Sequence, residues 1–198
     1  MSTASLFHQI GYAGIALVLC GLFAMYLGIK TFVYLYCVWR EFKREFLSQN
    51  IKTQEDIAQI YNKTSNPLVS IINDIVVIHS EHSEDMRSEV SYLMHRNFEN
   101  VSKSLVWLRL IAVISPLLGL LGTVLGMVGV FQAISTNGNP NSAELAGGIW
   151  EAMITTVMGL VVAIPTLIIY YYLLLKFRGF HIEAVEHSYR MLDICKRK

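Results

Sequence analysis

Several polar side chains interrupt two long apolar stretches of this sequence, and five of them are the residues best suited to chemistry. Ser115 and Thr123 lie in the first stretch, whereas Glu151, Thr155 and Thr156 lie in the second. A polar patch inside a bilayer is expected to face the interior of a helix bundle or a hydrated cavity. There it would solvate an ion or a protonatable group. The alternative is that each threonine hydrogen-bonds to a carbonyl of its own helix and serves only in packing.

The same stretches lack the group that would carry an ion. No Lys, Arg or His occurs between Leu110 and Leu175, and Glu151 directly follows Trp150, an aromatic residue typical of a membrane interface. A proton or ion relay ordinarily needs an ionisable group near the middle of the bilayer. If this chain conducts protons, a partner helix must therefore supply the carboxylate, and the threonines would solvate it.

No catalytic residue, metal or other cofactor is predicted. The sequence contains no Ser-His-Asp grouping and no Gly-rich phosphate loop, so it is not expected to be an enzyme. His79 and His82 are three residues apart but lack a convincing third ligand for a metal site. The net charge of +1 gives no electrostatic reason to expect binding to nucleic acid.

The distribution of charge predicts an all-α membrane protein with three transmembrane helices. Of the 198 residues, 54% are hydrophobic and only 16% are charged. All 16 Lys and Arg lie between Lys30 and Arg109 or between Lys176 and Lys198. A helix of about 20 uncharged residues spans a bilayer, so residues 11–29 suit one span and residues 110–175 suit two. The positive-inside rule then places the N-terminus outside and the C-terminus inside the cell.

The predicted organisation follows from these spans. It consists of a first segment and span over residues 1–39, a cytoplasmic helical region over 40–109, a second span over 110–134, a periplasmic loop over 135–148, a third span over 149–175, and a cytoplasmic C-terminal helix over 176–198. Asn66-Pro67 predicts a helix break. After this break, an apolar stripe predicts one helix from Leu68 to Ile134, roughly 100 Å long and projecting into the cytoplasm.

Small residues recur along the second span at alternating spacings of three and four, as in a heptad seam. They are Ala112, Ser115, Gly119, Gly122, Gly126, Gly129 and Ala133. The third span has a shorter series of Ala152, Thr156, Gly159 and Ala163. Such seams let helix backbones approach closely in lipid, so another helix is expected along the whole first seam. Packing of the two spans against each other and packing in a homo-oligomer are both compatible with this pattern.

These residues resemble a known family. The segments "ISPLLGLLGTVLGMVGVF" and "GGIWEAMITTVMGLVVAIPTLIIYY" are similar to the MotA/TolQ/ExbB proton-channel family from Leu110 to about Tyr172. Three spans with one large cytoplasmic loop fit the ExbB and TolQ branch, because the MotA branch has four spans. Pro116 and Pro165 fall on the prolines of the family, and Glu151 matches its glutamate near the outer end of the third span.

The resemblance implies a function and partners. ExbB-like proteins form a pentamer in the bacterial inner membrane around the single transmembrane helices of a dimeric ExbD-like partner. That partner carries an aspartate facing hydroxyls that match Thr123 and Thr156, and the assembly uses the proton-motive force to drive a TonB-like or TolA-like protein. Thr155 and Glu151 are further candidates for the proton pathway. A TolQ-like role in envelope integrity and a non-conducting membrane scaffold remain alternatives, and proton rather than sodium conduction follows from the resemblance alone.

Overall fold

The fold is described from a computed structural model, which describes residues 11–44, 66–78, 86–137 and 142–196. Within these ranges the chain forms helices and no strand, which confirms the all-α prediction. The helices are α1 (Gly11–Phe42), α2 (Pro67–Ile78), α3 (Met86–Asn97), α4 (Glu99–Asn137) and α5 (Ser142–Lys196).

Three of these helices contain a segment long and apolar enough to cross a membrane, as predicted. The segments are Gly14–Phe42 in α1, Glu99–Thr136 in α4 and Leu145–Asp193 in α5. Helical structure also extends into the predicted 135–148 loop, because α4 continues to Asn137 and α5 begins at Ser142. The predicted third span and C-terminal helix form the single helix α5, since no proline interrupts the chain after Pro165. The outward N-terminus and inward C-terminus stay predictions.

The chain divides into two compact units, of which the first comprises Met1–Gly28 and Val106–Tyr171. In this unit α1 packs on α5 through glycines. A Cβ atom at Gly21 would lie 3.2 Å from Val162, and one at Gly28 would lie 3.0 Å from Ile169. The absence of a side chain therefore brings the helices close together, which is the main source of helix association in lipid. Large apolar side chains remain exposed on the outer faces, as expected for contact with lipid.

The second unit comprises Ile29–Leu105 and Tyr172–Lys198 and has a core rich in aromatic residues. Phe42, Phe98 and Phe180 are almost completely buried. The Trp39 ring stacks on Phe180 at 5.5 Å between centroids, and Phe98 meets Phe177 edge-on at 5.8 Å. These geometries are the favoured ones for aromatic pairs. Along the C-terminal part of α5, Phe180, Ala184 and Met191 lie on one apolar face and are buried.

The prediction of one continuous helix from Leu68 to Ile134 is wrong. Helix α2 ends at Ile78, α3 begins at Met86 and ends at Asn97, and a turn at Phe98 precedes α4. Helices α2 and α3 pack against each other, which two segments of one straight helix cannot do. The reason is that α2 buries apolar residues on more than one face, so it needs neighbours on several sides. Its fully or almost fully buried side chains are Leu68, Val69, Ile71, Ile72, Ile75 and Val76.

The apolar stripe predicted along one helix is divided among several helices. Its described members are buried, and they are distributed over α2, α3 and α4 rather than along one helix: Leu68, Ile71, Ile72, Ile75, Leu93, Val101, Leu105 and Leu108. His79 and His82 lie outside the described residues, so the expectation that they form no metal site stays a prediction.

Asn66 fixes the start of α2 and joins it to α1. Pro67 is the first residue of α2, at the break predicted from the sequence, and its fixed φ suits that position. The Leu68 amide donates a hydrogen bond to Asn66 Oδ1 at 3.0 Å, which is the usual role of an N-cap side chain. Asn66 Nδ2 donates to the Val38 carbonyl at 2.9 Å, and Glu41 Oε2 lies 3.4 Å away. One buried amide thus serves both helices.

We predict that Asn66→Ala loosens the start of α2. It removes an N-cap worth about 0.5–2 kcal/mol and leaves the buried Val38 carbonyl without its side-chain donor. Hydrogen exchange of the Leu68 amide should accelerate by about tenfold, since each 1.4 kcal/mol corresponds to a factor of ten. Asn66→Asp keeps the capping oxygen but loses the donor, so it should also accelerate exchange. Wild-type exchange in Asn66→Asp would show that the bond to Val38 contributes nothing.

Candidate functional site

The candidate site is built where the backbones of α4 and α5 touch. A Cβ atom at Gly119 would lie 2.8 Å from the Thr155 carbonyl oxygen and 2.9 Å from Thr156 Cα. On the opposite side, a Cβ atom at Gly159 would lie 2.6 Å from the Ser115 carbonyl oxygen and 3.2 Å from Gly119 Cα. Real Cβ atoms do not approach backbone this closely. Only glycine therefore fits at these two positions, one on each helix.

The close contact with α5 continues along the α4 seam and ends before Gly129. Cβ atoms at Gly122 and Gly126 would lie 2.5 Å from Thr155 Oγ1 and 2.9 Å from Ala152 Cβ, respectively. A Cβ atom at Gly129 would meet nothing within 4 Å, and Ala133 is exposed. Helix α5 therefore covers the seam only as far as Gly126. The sequence predicted another helix along the whole seam, and none of the described helices covers all of it. Nearer the end of α4, α5 meets it at Val130, which lies against Gly148.

The two adjacent threonines of α5 have different environments. Thr156 is half-buried, and its hydroxyl donates to the Gly119 carbonyl of α4 at 3.1 Å. Thr155 is buried, and its hydroxyl lies 2.7 Å from the Ala152 carbonyl and 3.3 Å from the Gly119 carbonyl. Because a hydroxyl has one proton, the shorter bond within α5 is the better one for Thr155. Thr155 therefore belongs to the packed seam, whereas the Thr156 oxygen lies at its edge.

Thr123 follows Gly122, a glycine of the α4 seam. Its hydroxyl donates to the Leu120 carbonyl of its own helix at 2.6 Å, which is the local bonding considered as an alternative from the sequence. The side chain is half-buried, and an oxygen that donates its proton can still accept hydrogen bonds. In a regular α-helix the carbonyl of Gly119 accepts the amide of residue 123. The Thr156 hydroxyl is thus anchored on the peptide group that pairs with Thr123.

Ser115 and the two helix prolines do not contribute an accessible polar group. Ser115 is fully buried, and its hydroxyl donates to the Ile111 carbonyl at 2.7 Å. Pro116 and Pro165 lie inside α4 and α5, where each removes one backbone hydrogen bond. Thr166, which follows Pro165, donates to the Val162 carbonyl at 2.7 Å and is also buried. Both prolines therefore adjoin a hydroxyl that is satisfied within its own helix.

The arrangement can solvate a polar group but cannot ionise by itself. Thr123 and Thr156 present half-buried hydroxyls, and no Lys, Arg or His occurs between Leu110 and Leu175. A hydroxyl can accept a hydrogen bond from a protonated carboxyl group and donate one to a carboxylate. Glu151 lies in α5, but its side chain is outside the described residues, so its role stays a prediction.

The sequence did not reveal the Gly119 carbonyl as part of the site. Ala152, by contrast, was placed in the predicted seam of the third span, and it packs against Gly126 of α4. The acceptor role of Gly119 has no signal in the sequence, because every residue has a carbonyl group. Only the close approach of the two helices selects this one.

Comparison with known proteins decides the family. The model of the MotA/TolQ/ExbB proton channel family matches residues 40–183, which is most of the chain. The chain belongs to this family. Its relatives place it in the ExbB/TolQ branch of the family. The family comprises subunits of proton channels and transport motors rather than enzymes, and the chain is a multi-pass membrane protein.

Relatives carry the names of both members of this branch. The chain is 39% identical over 112 residues to a putative biopolymer transport protein ExbB homolog of Methanothermobacter thermautotrophicus, covering 54% of this chain and 38% of the relative. It is 36% identical to the biopolymer transport protein ExbB of Salmonella typhimurium, over 46% of this chain and 39% of the relative. It is 35% identical to the Tol-Pal system protein TolQ of Haemophilus influenzae, over 48% and 40%. The matches thus span about two fifths of these relatives.

We predict that glycines of the seam respond unequally to alanine. Gly119→Ala places a Cβ atom against the backbone of α5 and should destabilise the α4–α5 pair by about 1–3 kcal/mol, as overpacking does. Gly129→Ala is the matched control on the same helix and should leave stability unchanged or raise it, because alanine favours the helix. Thermal unfolding of the detergent-solubilised protein measures both. Equal loss in the two variants would contradict the packing described for α4 and α5.

Proposed function

We propose that this chain is the proton-channel subunit of a bacterial inner-membrane motor that couples the proton-motive force to a TonB-like protein. In this motor, five copies of the chain surround an ExbD-like partner whose single transmembrane helix carries an aspartate. Family membership supports the channel class. The observation that carries the proposal is the Thr156 hydroxyl, held on the Gly119 carbonyl about one helical turn from Thr123.

In this proposal the chain forms the wall of the pathway and the partner brings the charge. An ionised carboxylate at the centre of a bilayer costs several kcal/mol unless polar groups or water solvate it. Thr123 and Thr156 supply such groups at half-buried positions, whereas the apolar surface on either side suits the protonated acid. Proton uptake and release would then decide whether the partner helix rests at the hydroxyls or moves past them. Each proton that crosses 100 mV supplies about 2.3 kcal/mol.

We predict that Thr156→Val lowers proton flux by about tenfold, because a hydrogen bond to a charged group contributes about 1.5–3 kcal/mol. The flux is measured as the decay of a pH gradient across vesicles that contain this chain and its ExbD-like partner. Thr123→Val should have a similar effect. Thr155→Val should retain most of the flux, because the Thr155 hydroxyl is buried within the seam.

Thr166→Val is the matched control, since it removes a buried hydroxyl from the same helix, away from the Gly119 contact. Its flux should equal that of the wild type, and all variants should keep the partner bound. Wild-type flux in both Thr123→Val and Thr156→Val would show that the hydroxyls serve only in packing. The non-conducting scaffold would then describe this chain better.

The assembly and the branch need separate experiments. Native mass spectrometry of the complex counts its subunits, and a number other than five would refute the pentamer without affecting the proposed pathway. Because relatives are named ExbB and TolQ, a TolQ-like role in envelope integrity is the second candidate. Production of this chain with its partner in cells lacking ExbB, and in cells lacking TolQ, distinguishes the two. We expect recovery of TonB-dependent uptake, and recovery of envelope integrity alone would assign the Tol role.

A further inference from the structure

An open groove of about 470 Å³ lies between α1 and the part of α5 beyond Tyr171. This volume is within the range of small-molecule sites in proteins. All of its lining residues belong to the second compact unit, and most are aromatic or aliphatic. They include Phe32, Leu35, Tyr36, Trp39, Lys176 and Phe180. The groove is separate from the hydroxyls of the candidate proton pathway.

Gly179 contributes to the width of the groove and has no evident role in packing. It lies within α5, where glycine costs about 1 kcal/mol relative to alanine. A Cβ atom at this position would meet nothing within 4 Å. Gly179 therefore differs from Gly119 and Gly159, where neighbouring backbone excludes a side chain. A larger residue at Gly179 would project into space that is now open.

The charge and the position of the groove indicate its occupant. Lys176 lines the groove with its Nζ 5.9 Å from the centre of the Tyr172 ring, and it forms no ion pair with any described residue. Glu183, the acid that lines the same groove, is two turns further along α5 and contacts His187 Nε2 at 3.3 Å. Tyr36, Trp39 and Tyr172 occur where the apolar spans give way to basic residues. Such a belt of aromatic and basic residues is typical of the lipid headgroup region.

We infer that this groove binds one anionic phospholipid, with an acyl chain along its apolar wall and the phosphate at Lys176. The side chains Phe32, Tyr172 and Leu175, on the membrane side of Lys176, supply the apolar contact, and the open glycine position at Gly179 leaves room for the lipid headgroup. The Lys176 ammonium carries a positive charge, which attracts an anionic headgroup more strongly than a zwitterionic one. A basic residue near an anionic membrane surface contributes about 1 kcal/mol, which corresponds to about a fivefold preference.

Trp39 reports on occupancy because it lines the groove and stacks on Phe180. The chain has three tryptophans, so Trp107→Phe and Trp150→Phe leave Trp39 as the only one. This variant is reconstituted as the full chain in bilayers of phosphatidylcholine and phosphatidylglycerol, in which one lipid at a time carries brominated acyl chains. Bromine quenches tryptophan fluorescence at short range. We expect the same degree of Trp39 quenching to need about five times less brominated phosphatidylglycerol than brominated phosphatidylcholine in the bilayer.

Two variants and one control test the assignment. Lys176→Gln should abolish the preference for phosphatidylglycerol, whereas Gly179→Leu should fill the groove and reduce quenching by both lipids. Arg178→Gln removes an exposed cation that lies roughly 200° around the helix from Lys176, so it should retain the preference. Equal quenching by the two lipids in the parent variant would overturn the inference. A preference that survives Lys176→Gln, or undiminished quenching in Gly179→Leu, would overturn it too.

Discussion

The direct contact between the backbones of α4 and α5 is the constraint on which the candidate site depends. Gly119 and Gly159 face the opposite helix where a Cβ atom would collide with backbone. In lipid, apolar side chains gain little by leaving the solvent for each other, so helices associate through close packing and hydrogen bonds. The short separation then lets a threonine of one helix reach a carbonyl of the other. Packing and polar function therefore have one origin in this pair of helices.

That contact also explains why neighbouring hydroxyls differ. Successive residues of a helix are about 100° apart, so Thr155 points into the seam while Thr156 lies at its margin. Ser115 and Thr166 are satisfied within their own helices and are buried. Among the hydroxyls of Ser115, Thr123, Thr155, Thr156 and Thr166, only those of Thr123 and Thr156 belong to half-buried rather than buried side chains. Within the proposed assembly, these two are the hydroxyls available to a partner helix.

The sequence predicted the features that depend on composition along the chain. Gaps between basic residues identified the three apolar helices, and Asn66-Pro67 marked the start of α2. It could not predict that α2 and α3 pack against each other, because apolar residues recur at the same spacing in two separate helices as in one. It also placed Thr156 rather than Thr155 in the seam of the third span, whereas Thr155 is the more deeply buried of the two, since the rotation of α5 relative to α4 decides which one is buried. That rotation is set by the glycine contacts, which only the folded pair displays.

The absence of basic and histidine side chains between Leu110 and Leu175 has a physical consequence for the proposed channel. An ionisable group in the wall would cost desolvation free energy in every copy of the subunit, whether or not a proton was moving. Hydroxyls cost much less, because their own helix or a neighbouring carbonyl satisfies them, as the Thr123 and Thr156 bonds do. A carrier on a separate helix confines the cost of the charge to the few sites that it occupies. Such a wall remains stable while empty and becomes favourable to charge only where a carboxylate meets the hydroxyls.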